Sequence, residues 1–120
     1  MRANLLKIVA SLALASAATS AFAHAQLQKT TPAVGGTVAS ASEIRLEFSE
    51  GVEPKFSKVS LAGPSGAAVS LGAPRVEAGH QEILIVPISG SLAPGDYKVH
   101  WQAVSVDTHH TQGTFEFTVK

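Results

Sequence analysis

The chain has 120 residues, a formal charge of zero and no cysteine. One domain with a single hydrophobic core fits that length. The missing thiols exclude disulfide stapling, thiolate metal ligands and a cysteine nucleophile, and no basic excess speaks for a nucleic-acid partner.

Residues 1–23 read as a secretion signal. Arg2 and Lys7 form a positive head, residues 8–22 are mostly Ala, Leu, Val and Ile, and Ala21-Phe22-Ala23 offers the small-x-small pattern of a signal-peptidase site. The apolar run is shorter than the roughly 18 residues of a membrane-spanning helix, so cleavage is expected rather than anchoring. Cleavage removes both cations and Met1, the single methionine. The mature domain, residues 24–120, then carries a net charge of −2, lacks thioethers and begins at His24.

After the signal the periodicity is that of strands. Residues 26–31 form a first strand closed by Pro32, and Ala33-Val34-Gly35-Gly36 is a turn. Residues 43–48 alternate cleanly, with Ile44, Leu46 and Phe48 on one face. Residues 49–56, with Gly51 and Pro54, read as a loop. Residues 58–61 alternate again, Gly63-Pro64-Ser65-Gly66 is a turn, and residues 67–71 make a short strand. Residues 72–81 read as loop. Residues 82–86 form a compact apolar run, hence a buried strand, with Pro87 at its end or at an edge. Residues 97–103 put Tyr97, Val99, Trp101 and Ala103 on one face. Residues 105–112 read as a polar loop, and residues 114–119 close the chain with Phe115, Phe117 and Val119 inward. About seven short strands separated by turns predict an all-β, immunoglobulin-like Greek-key sandwich or barrel.

Three residues carry the chemistry. Asp107 and His109 lie two apart, a spacing that turns both side chains the same way on extended backbone. His24, as a free N-terminus, offers an amine and an imidazole that can close a ring on one metal ion. Two imidazoles, one amine and one carboxylate form a nitrogen-rich set suited to Cu(II), with Zn(II) the main competitor. Cu(I) is disfavoured, because the mature domain has neither Met nor Cys. His110 points away from His109 by alternation. His100 and His80 read as solvated histidines, on the outer face of a strand and in a loop.

These residues resemble the periplasmic copper-resistance CopC family. The matching features are the signal ending before His24, Thr31-Pro32, Phe48-Ser49-Glu50, Tyr97 to Trp101, Val104-Ser105-Val106-Asp107-Thr108-His109, Gly113, and Phe115 to Val119. The resemblance implies a small periplasmic β-domain that binds Cu(II) through the N-terminal His and an Asp-x-His loop, here His24, Asp107 and His109. Glu50 matches an acidic residue that lies beside that site in some members. A Met-rich Cu(I) loop, known in other members, has no counterpart at residues 53–79, so this chain resembles the Cu(II)-only kind. The resemblance further implies an inner-membrane copper-transport partner and a role in copper resistance, homeostasis or delivery. A monomer without catalytic activity is expected. The alternatives are an oxidative enzyme of the histidine-brace type, and a sandwich used only for protein contacts. Few aromatics are available for a sugar-binding face, and a ligating Asp107 would occupy a position that oxygen chemistry needs.

Overall fold

The computed structural model describes residues 25–120; the expected signal segment and His24 lie outside the described residues. The described residues form nine strands and no helix. These are β1 (Leu27–Thr31), β2 (Thr37–Val38), β3 (Glu43–Phe48), β4 (Lys58–Ala62), β5 (Ala68–Val69), β6 (Arg75–Glu77), β7 (His80–Pro87), β8 (Gly95–Val104) and β9 (His110–Val119). All seven segments expected to be strands contain one. β2 and β6 are additional, and they are too short to carry a period of their own. Pairing creates them: β2 runs parallel to the end of β9, and β6 folds back on β7. Gly79, at φ +80°, makes that turn possible. The expected loop at residues 72–81 is therefore partly a short hairpin, and His80 opens β7.

The strands build two sheets, ordered β1-β3-β7-β6 and β2-β9-β8-β4-β5. Packed face to face they form the expected β-sandwich. Ile44, Leu46 and Phe48 of β3 and Leu84 and Val86 of β7 meet Tyr97, Val99, Trp101 and Ala103 of β8 and Phe115, Phe117 and Val119 of β9. Phe48 and Trp101 join the sheets edge to face, with ring centroids 5.4 Å apart. Tyr97 stacks on its cross-strand partner Phe117, and its hydroxyl donates to the Ala93 carbonyl at 2.6 Å. That bond back to upstream backbone resembles the tyrosine corner of such sandwiches.

β7 is buried on both faces, as its unbroken apolar run predicts. Leu84 and Val86 face the core, whereas Ile83 and Ile85 are buried on the opposite face. Ile85 lies between Arg45 of β3 and Arg75 of β6. Arg45 reaches across to Glu77 at 2.7 Å, so its aliphatic stem spans the apolar strip.

β9 begins at His110, four residues before the expected start. The ladder with β8 continues to Val104 opposite His110, although residues 111–114 show no apolar alternation. Gly113 sits opposite Trp101, and a Cβ there would lie 2.8 Å from the indole Cζ2. Gly113→Ala is accordingly expected to cost about 1–3 kcal/mol of stability through overpacking. Chemical denaturation measures this, and an unchanged midpoint would mean that the indole has room to shift.

Two loops at one end of the sandwich lie side by side. Val52, fully buried, forms an isolated bridge with Ser105. The Glu53 amide donates to the Val104 carbonyl at 2.8 Å, and the Val106 amide donates to the Gly51 carbonyl at 2.9 Å. The segment after β3 thus braces the β8–β9 loop.

Candidate metal centre

The β8–β9 loop is a tight reversal in which the Ser105 amide donates to the His109 carbonyl at 2.9 Å and the Thr108 amide donates to the Ser105 carbonyl at 2.8 Å. Closing it places Thr108 at φ +71°, in the left-handed region. A β-branched residue holds that conformation at a cost of about 1–3 kcal/mol, so the surrounding bonds must enforce it. The reversal, rather than the extended backbone that their spacing assumes, brings the Asp107 and His109 side chains together. His109 Nδ1 lies 3.1 Å from Asp107 Oδ1. Pairing with a carboxylate favours the proton on Nδ1 and leaves the lone pair on Nε2, the arrangement usual for metal-binding histidines.

Asp107 is well prepared to stay ionised. The Ser105 hydroxyl, and after it His109, hold its carboxyl below the ordinary carboxylate range. A depressed folded-state pKa contributes stability that is present above the unfolded value of about 3.9 and lost as pH falls through the folded one. The difference in thermal midpoint between the protein and Asp107→Asn is therefore expected at pH 6 and should close as pH drops below about 4. Melting curves across that range check it; a gap that stays constant would mean the carboxylate charge is not involved.

The start of the described chain runs beside this loop. Ala25 is buried, and its carbonyl accepts from Thr111 Oγ1 at 3.0 Å. The Gln26 amide donates to Ser49 Oγ at 2.8 Å, and the Ser49 amide donates to the Gln26 carbonyl at 2.8 Å. The residue immediately after His24 is thus fixed to β9 two positions from His109. Glu50 is half-buried, between Ser49, bonded to Gln26, and Gly51, bonded to Val106.

The remaining histidines lie apart from this arrangement. His110 is exposed at the start of β9, opposite Val104. His100 is half-buried between Ser60 and Thr114. His80 is exposed with Nδ1 3.3 Å from Glu82 Oε2, and it belongs to a strand rather than the expected loop. Among the described residues no group of three or more His, Asp or Glu side chains is gathered as for a metal ion. Of the three expected ligand residues, Asp107 and His109 lie together, and His24 lies outside the described residues.

Sequence reasoning passed over Ser105 as part of a polar loop. It is fully buried, and it contacts both members of the pair. A serine within a polar stretch carries no signal of that burial.

A CopC domain model matches residues 27–120. "Protein YobA" of Escherichia coli K12 is 46% identical over 103 residues, covering 84% of this chain and 82% of that protein. "Copper resistance protein C" of Escherichia coli is 37% identical over 108 residues, covering 84% and 85%. The crystal structure of PcoC, described as a methionine rich copper resistance protein from Escherichia coli, superposes with a TM-score of 0.72 at 33% identity, covering 82% of this chain and all of that one.

Proposed function

The chain belongs to the CopC family, and within it we propose an exported, periplasmic copper-binding protein that holds Cu(II) through the His24 amine and imidazole, Asp107 and His109. It serves copper homeostasis or resistance and passes the ion to an inner-membrane transport partner. The carrying observation is the pinning of Ala25 to Thr111, beside a loop that turns Asp107 and His109 together at 3.1 Å. One peptide unit, about 3.8 Å between Cα atoms, separates Ala25 from His24.

Donor chemistry favours the cupric ion. PcoC is described as methionine rich, whereas here the single methionine is Met1 and there is no cysteine. Nitrogen and carboxylate oxygen are what remain, and they suit Cu(II) better than Cu(I). The side chains of His109 and Asp107 are 52% and 37% exposed, so both can be reached from outside the protein. An open site lets a partner approach the ion, as a carrier requires; a closed four-ligand cage would suit a structural metal. The copper resistance names of the relatives support a carrier rather than an enzyme.

Titration of the domain beginning at His24 with Cu(II), followed by electron paramagnetic resonance, tests the reading. One tight site with a nitrogen-rich tetragonal spectrum is expected. Only weak binding, or binding in proportion to the number of histidines, would remove it.

A further inference from the structure

We infer that Ser105 is a positioning residue of the copper clamp, its hydroxyl fixing Asp107 and the His109 backbone in the orientation that receives the ion. This rests on the function proposed above. Ser105 is 0% exposed, and a buried hydroxyl requires partners. Its Oγ donates to Asp107 Oδ1 and accepts from the His109 amide at 3.2 Å. Oγ also lies 3.3 Å from the His109 carbonyl, but it has a single proton, and the charged carboxylate is the stronger acceptor. The backbone of Ser105 bonds His109 and Thr108 as well. One buried residue, itself braced by the bridge to Val52, therefore anchors each of the three residues of the Asp-x-His turn.

The consequence is selective at the level of atoms. Every hydrogen bond that the described residues make to the Asp107 side chain ends on Oδ1. Oδ2 takes none of them and remains as the oxygen able to meet a cation. Oδ1 in turn lies against His109 Nδ1. Ser105 thus holds the carboxylate in the rotation that keeps one oxygen on the imidazole and the other outward. Without that hydroxyl the carboxylate can turn, and the imidazole loses its fixed partner.

The test uses the domain beginning at His24, with Ser105→Ala, Asp107→Ala and the double variant. Cu(II) affinity is measured by competition against a chelator, and the copper spectrum is recorded for each. Ser105→Ala is expected to weaken binding by about 10–100-fold, as loss of a group that orients a metal ligand does, and to shift the copper hyperfine pattern. In the metal-free domain the His109 amide should exchange faster, while Trp101 keeps its native fluorescence. On the Asp107→Ala background the same substitution should cost much less, because Ser105 acts chiefly through that carboxylate. If Ser105→Ala does not fold cooperatively, Ser105→Cys keeps the volume with a weak donor, and the same losses are expected from it. Affinity within about twofold of the unaltered domain with an unchanged spectrum overturns the inference, as does full additivity in the double variant. Failure of the unaltered domain to bind Cu(II) would instead defeat the function itself.

Discussion

One residue placed before His24 in the mature protein is expected to weaken Cu(II) binding by about a hundredfold or more, the scale on which a tethered second donor raises affinity. The added residue converts the His24 amine into an amide, whose nitrogen is no longer a ready ligand. The imidazole survives but loses its chelate ring. Folding should be unaffected, because the Ala25 carbonyl and the Gln26 amide and carbonyl fix the first described residues to the sandwich. Competitive titration against a chelator reads the affinity, and thermal melting of the metal-free forms controls for the fold. Equal affinity in the extended and authentic forms would show that the terminal nitrogen takes no part. The amine also makes affinity fall with pH, since its proton, with a pKa of about 7.7–8.0 when unperturbed, must leave before copper binds.

His109→Ala and Asp107→Ala should each weaken Cu(II) binding by at least about 10–100-fold, since even groups that merely orient ligands cost that much. His109→Ala removes a donor outright. Asp107→Ala removes a carboxylate and also the partner 3.1 Å from the His109 ring. His80→Ala and His100→Ala are expected to change nothing. His80 is occupied with Glu82, and His100 sits between Ser60 and Thr114 on the five-stranded sheet, away from the loop. Isothermal titration of the four variants separates the outcomes. Similar losses from all four would indicate adventitious binding to surface imidazoles.

The parts of the fold that could be read in advance are those where burial imposes a period. Glu43–Phe48 alternates because one face of β3 meets the core, and its ends fall where the sequence places them. Pairing without burial left no such trace. β2 and β6 exist through a few ladder bonds to β9 and β7, and the first four residues of β9 are carried by the β8 ladder past a glycine under Trp101. Val52 was hidden for a different reason. A lone apolar residue between Gly51 and Pro54 looks like loop, yet it fills the end of the core. At the site, the two-residue spacing of Asp107 and His109 assumes extended backbone, whereas a turn through Thr108 at φ +71° is what brings the two side chains together. The role of Ser105 was not legible, because a serine in a polar stretch shows nothing of its burial until the Val52 bridge covers it.

The first described residues are pinned on two sides. Ala25 is held by Thr111 of one sheet, and Gln26 by Ser49, which directly follows β3 of the other. An ion shared by residues 24 and 109 would act as a fastener across this open end of the sandwich, tying together points separated by most of the chain. Resistance to heat would then rise with the logarithm of free copper once the site is saturated. Empty molecules would open more readily and be degraded first, so proteolysis would enrich the surviving pool in protein already carrying its cargo.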